Sequence, residues 1–77
     1  MLRLTGTTEN GRRTIRVVKY MPVMEAKHDE EPDGYYITHI VMRKDGDDYF
    51  TISKLKDGYW EGNKSFEMWD VTMEEEE

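Results

Sequence analysis

Cysteine is absent from this chain of 77 residues. Its absence removes disulfides, thiol catalysis and every thiolate metal site. Small secreted domains usually depend on such staples, so the expectation is an intracellular domain held by packing alone. No apolar run approaches the roughly 18 residues of a membrane span. The N-terminus also lacks the apolar stretch of a signal peptide. A cytoplasmic location without a membrane partner follows as the expectation. Apolar residues are scarce at 36 %, equal to the charged share. That balance resembles a disordered chain, but aromatics at 12 % do not. A chain this short hides only about 60 % of its unfolded surface, so its core is thin. The reading is one small domain over residues 1–73, with Glu74 to Glu77 as a frayed acidic tail.

Bases are rare outside the first third of the chain. Residues 1–24 hold Arg3, Arg12, Arg13, Arg16 and Lys19 against Glu9 alone. The remainder holds sixteen acids against six bases, and the formal net charge is -6. The acids gather around Glu25 to Asp33, at Asp45, Asp47 and Asp48, and at the C-terminal glutamates. The asymmetry predicts a bipolar surface.

Turn chemistry points to the fold. Asn10-Gly11, Asp45-Gly46 and Asp57-Gly58 are dipeptides that close two-residue hairpins, because both central residues need positive φ. By the same logic Gly46 requires that conformation and Gly6 does not. The first turn predicts Glu9 opposite Arg12, Thr7 opposite Thr14 and Leu4 opposite Val17. The second predicts Lys44 with Asp47, Arg43 with Asp48, Met42 with Tyr49, Val41 with Phe50 and His39 with Ile52. The third predicts Leu55 with Trp60 and Lys54 with Glu61, placing Tyr36, Leu55 and Trp60 in one row. Opposite charges flank all three turns, and the resulting pairs suit a pleated surface.

Strands are expected at about 2–8, 13–20, 35–44, 48–55 and 59–61, filled by Tyr, Ile, Val, Thr and Phe. Residues 65–73 fit a strand through Trp69, Val71 and Met73, or a helix through Phe66, Trp69 and Met73. β-Branched Val71 and Thr72 favour the strand. Residues 21–34 fit either one short helix or an acidic loop bounded by Pro22 and Pro32. The fold class is all-β or β-rich α+β: an antiparallel sheet of four to six strands, as a meander, barrel or sandwich. The middle hairpin is apolar on both faces. The sheet must therefore curl on itself, or the 21–34 segment or a partner must cover one face.

Catalytic and metal chemistry find little support. His28 is expected exposed in the acidic segment, and His39 half-buried beside Ile52 as a satisfied core group. No phosphate loop, Walker motif or serine elbow occurs. Asp45-Gly46-Asp47-Asp48 lacks the glycine and glutamate spacing of a calcium loop. His28, Asp29 and Glu31 offer only adventitious contacts, so no cofactor and no metal are expected.

Two binding functions lead, with an enzyme of unknown class as the third reading. The first is a protein-interaction module. Its acids Glu25, Asp29, Glu30, Glu31 and Asp33 would steer a partner with a basic surface. Its aromatics Tyr35, Tyr36, Tyr49, Tyr59 and Trp60 would form the contact. In composition the chain is similar to small acidic inhibitors encoded by phages and other mobile elements. That similarity implies an inhibitor of a nucleic-acid-acting protein, working in a host cytoplasm. A homodimer through one sheet face is a further expected partnership. The second function is single-stranded nucleic-acid binding. Arg3, Arg12, Arg13 and Arg16 would supply phosphate contacts, and those aromatics with Trp69 would stack bases. Arg3, Thr5, Thr14 and Arg16 share one face of the first hairpin as a basic stripe.

Overall fold

The computed structural model describes residues 1–22, 27–42 and 48–76. Five strands form: β1 (Leu2–Thr8), β2 (Gly11–Tyr20), β3 (Gly34–Val41), β4 (Tyr49–Lys56) and β5 (Tyr59–Glu75). They close into a barrel in chain order, β5 returning to β1. No helix occurs among the described residues, so the all-β alternative holds.

A ring of five strands cannot alternate direction all the way round, so one neighbouring pair must be parallel. That pair is β2–β3, joined at Val17↔Tyr35 and Tyr20↔Ile37. The sheet is mixed where a wholly antiparallel one was expected. Parallel neighbours need a crossover of a dozen or more residues. Residues 21–33 are that crossover, which accounts for their length. Glu25 lies outside the described residues.

Of the three predicted hairpins, the last forms in its expected register. Leu55 faces Trp60 and Lys54 faces Glu61. Asp57 and Gly58 both take positive φ, at 52° and 83°. Tyr36, however, pairs with Ser53 and not with Leu55.

The first hairpin is shifted by two residues. Leu4 faces Ile15, Leu2 faces Val17 and Thr7 faces Arg12, so the Glu9–Arg12 pair does not form. Here Glu9 and Asn10 are the turn centre, and Gly11 follows at φ 107°. The Thr8 hydroxyl donates to the Gly11 carbonyl (2.9 Å) and accepts the Asn10 N–H (3.2 Å), which fixes that placement. An even shift preserves the faces, so the apolar side still points inward.

The middle hairpin slips by one. Val41 faces Tyr49, Ile40 faces Phe50 and exposed His39 faces Thr51; beyond a bulge at Thr38, Ile37 faces Ile52. The slip and bulge put Ile37, Ile40, Phe50 and Ile52 on the interior side, which the predicted register would have split. The predicted tip pairs involving Arg43, Lys44 and Asp47, and Gly46 itself, lie outside the described residues.

The strand reading of 65–73 holds, and β5 continues to Glu75. Instead of fraying, Glu74 pairs with Arg3 and Glu75 with Leu2 across the β1–β5 seam. The Glu76 N–H then donates to the Met1 carbonyl at 2.8 Å.

Two apolar clusters hold the fold. Leu4, Ile15, Val17, Ile37, Ile52 and Met68 fill the barrel. Met21, Tyr36 and Leu55, with Val18 and Trp60 against them, form a second cluster on the other side of the sheet wall. The crossover covers it. The Met21 N–H donates to the Ile37 carbonyl (2.8 Å), and the Tyr36 hydroxyl donates to the Pro32 carbonyl (2.5 Å). The His28 N–H donates to the Gly58 carbonyl (2.7 Å), and the Asp57 N–H to Asp33 Oδ1 (2.9 Å). Both expected remedies for a two-faced hairpin are therefore used: closure and cover.

Gly6 is held by crowding rather than by φ. The β1–β5 register shifts between Thr5 and Thr7, and Asp70 takes φ 52° there. A Cβ on Gly6 would lie 3.0 Å from the Trp69 carbonyl oxygen and 3.0 Å from a Val71 methyl.

Candidate functional site

A groove of about 800 Å³ opens between the β1–β2 turn, Tyr35 on β3 and residues 63–67 of β5. Its lining mixes the aromatic Tyr35, Phe66 and Trp69 with polar and charged side chains. Arg13 lies opposite Gly6, where the facing strand has no side chain, and its guanidinium sits 4.6 Å from the Phe66 ring centre. Tyr35 meets the same ring edge-on, at 5.9 Å and 74°. Lys54 places its ammonium 5.6 Å from the Tyr35 ring. Trp69 borders the groove farther along β5 and is 39 % exposed. Guanidinium and ammonium groups prefer aromatic faces at such distances. Two adjoining rings are thus flanked by cations, Arg13 inside the groove and Lys54 beside it.

The shape comes from a bend in β5. Lys54 faces Glu61 and Ile52 faces Phe66, so β5 uses three residues more than β4 over that interval. The surplus carries Asn63, Lys64 and Ser65 to the rim. The Ser65 hydroxyl donates to Ser53 Oγ at 3.2 Å, and Ser53 meets Thr38 Oγ1 at 3.0 Å, pinning the foot of the bend to the sheet. Arg13 and Lys64 bring positive charge to the lining, with Lys54 beside them, against Glu9 and Glu67.

The basic stripe expected on the first hairpin forms. Arg3 and Arg16 are direct partners, with Thr5 opposite Thr14 next to them. It is already occupied. Glu74 binds Arg3, and Glu76 reaches both Arg3 Nη1 (3.5 Å) and Arg16 Nε (2.8 Å). The Glu74 hydrogen bond, then the Glu74 and Glu76 charges, raise the Arg3 pKa further above its high ordinary value. Arg12 donates to Thr7 Oγ1 (3.1 Å) and to the Asp70 carbonyl (3.2 Å). The four arginines therefore divide: Arg13 to the groove, the others to the outer face.

The predicted protein contact is dispersed. Glu31 pairs with Lys19 (2.9 Å), Asp29 with Lys27 (3.3 Å), and Asp33 accepts the Asp57 N–H. Glu30 is exposed on the same crossover. Tyr36 is fully buried; burial, then the charges of Glu31 and Asp33, push its pKa up. Trp60 is half-buried, edge-on to Tyr36 (5.8 Å) and His28 (5.5 Å). Tyr35 belongs to the groove, Tyr49 lies opposite Trp69, and exposed Tyr59 carries the Lys27 ammonium at 5.3 Å. His28 is partly buried rather than exposed, and its Nε2 has no hydrogen-bond partner among the described residues.

No cluster of three metal-capable side chains occurs among the described residues. Phe66, Asn63 and Lys64 were not anticipated as site residues. The run Gly62-Asn63-Lys64-Ser65 is a loop signal inside a strand, and could have flagged the bend. Searches against protein-family models, curated proteins and solved structures find no match for this chain.

Proposed function

We propose that this protein binds single-stranded nucleic acid in the groove. The observation that carries the reading is the edge-on pair Tyr35 and Phe66 lining one open concavity with Arg13 and Lys64, Arg13 lying over Phe66 and Lys54 reaching Tyr35 from beside the groove. Small barrels that bind single strands combine stacking rings with cations, and each stacked base contributes about 1–3 kcal/mol. A volume near 800 Å³ lies within the range of ligand sites. The net charge of -6 opposes long-range attraction. Affinity therefore rests on contacts inside the groove and is modest. A protein partner with a basic surface gains less from the geometry, because most of the crossover acids already have internal partners.

The test is fluorescence anisotropy with a labelled oligothymidylate of about twelve nucleotides, within the length one small barrel covers. At low salt the unmutated protein binds it. Tyr35→Leu weakens binding roughly 5- to 100-fold, the loss of one stacked base. Arg13→Glu abolishes it. Absence of binding by the unmutated protein at low salt ends this reading and returns the acidic protein-binding module to first place.

A further inference from the structure

The Arg3–Arg16 pair is unusual in its own setting. The two residues face each other directly across antiparallel strands, where like charges repel. An anion that spans both relieves that repulsion, and Glu76 does so with one carboxylate oxygen on each arginine. Guanidinium forks donate to phosphate oxygens in the same way. The clamp is open to solvent: the Arg3 and Arg16 side chains are 43 % and 69 % exposed. The Arg3–Glu74 pair is exposed on both sides and holds weakly, whereas Glu76 is 24 % exposed and is the more sheltered of the two carboxylates.

The clamp lies on the outer face of the strands whose Trp69 end borders the groove. Trp69, at the groove edge, is the β5 partner of Thr7, whose hydroxyl accepts from Arg12. The hydroxyls of Thr5 and Thr14 meet at 3.1 Å one step farther along, and Arg3 and Arg16 come next. From Thr7 to Arg3 is about 14 Å along the strand.

We propose that Arg3 and Arg16 form a phosphate-binding clamp that takes the backbone of a strand leaving the groove. The glutamates Glu74 and Glu76 act as a latch that the strand displaces. The clamp deepens the nucleic-acid reading and rests on it for the identity of the occupant, but not for its anion chemistry.

The experiment compares the unmutated protein with Glu76→Gln and with Glu74→Gln/Glu76→Gln, using two probes. The probes are the same oligothymidylate and inorganic tripolyphosphate, which has no base to stack. Arginine Nε–H resonances report the clamp, and the backbone amide spectrum reports folding. The double variant is expected to bind the oligonucleotide about tenfold tighter at low salt. Its log–log salt slope steepens by about 1.4, two phosphate contacts at roughly 0.7 each on a single strand. Glu76→Gln alone gives about half that change, and decides the matter if the double variant does not fold. Oligonucleotide binding with unchanged affinity and slope in the folded variants overturns the latch and leaves the groove reading intact. Tripolyphosphate shifting the Arg16 Nε–H of a variant, with no oligonucleotide binding by any form, retains the clamp and removes the groove reading. If neither probe moves Arg3 or Arg16 in a folded variant, the clamp is refuted.

Discussion

Gly6→Ala puts one methyl group into the β1–β5 seam. The new Cβ would lie 3.0 Å from the Trp69 carbonyl oxygen, 3.0 Å from Val71 Cγ2 and 3.2 Å from the Met68 terminal methyl. The flexible methionine can yield, but the carbonyl belongs to the bulged backbone near Asp70. Overpacking of this kind costs about 1–3 kcal/mol. Loss of unfolded-state freedom on replacing glycine returns about 0.4–1 kcal/mol. A net loss of about 1–2 kcal/mol follows. For 77 residues the unfolding entropy is about 0.16 kcal/mol/K, so the midpoint temperature falls by roughly 6–12 °C. Gly62→Ala is the control: its Cβ meets nothing within 4 Å, and its φ lies outside the left-handed region. That variant should be neutral or slightly stabilised. Thermal and urea unfolding followed by circular dichroism measure both. A Gly6→Ala midpoint equal to or above that of Gly62→Ala would refute the close approach of β1 and β5.

Tyr36→Phe removes the hydrogen bond to Pro32 and costs about 1 kcal/mol at neutral pH by urea titration. Because the folded protein raises the Tyr36 pKa, its contribution is fully present below about pH 10 and falls as pH rises through the folded value. The stability difference between unmutated protein and Tyr36→Phe should therefore shrink at alkaline pH; a constant difference would contradict the assignment. Asp33→Ala should cost about 1 kcal/mol, since Asp33 receives the Asp57 N–H, and hydrogen exchange at Asp57 should quicken. Glu76→Gln should change stability by less than about 1 kcal/mol, as expected where the arginine side of the pair is exposed, and a larger loss would make Glu76 chiefly a structural residue.

Local chemistry was legible where it was self-contained. Asp57-Gly58 adopts the two positive φ angles that its residues suggest, and the register around it follows. Asn10-Gly11 failed by two residues because the Thr8 side chain, absent from the dipeptide rule, chose the turn centre. The one-residue slip of the middle hairpin depends on which residues the closed barrel takes inside, a property of all five strands together. Charge matching at the turns was a weaker guide than interior packing. The site was legible only in parts. Arg13 and Tyr35 were both named for nucleic-acid binding, but nothing in the dipeptides or the hairpin registers indicated that the β5 bend brings Phe66 between them. Glu31 and Asp33 looked free because their partners, Lys19 and the Asp57 amide, come from outside the segment.

The pairing of β1 with the far end of β5 sets an order of events during synthesis. Leu2 pairs with Glu75, so β1 waits for the far end of β5 before its second side is satisfied. The β1–β2 hairpin and the β3–β4–β5 meander can form from neighbouring residues, whereas ring closure spans nearly the whole chain. Contacts of such long separation slow folding. Until residue 75 clears the ribosome, β1 presents unpaired backbone on one side and Leu4 without its covering strand. Such an edge invites pairing with another nascent chain. Arg3 on that edge carries a charge throughout the wait, and charge on an exposed edge discourages intermolecular pairing.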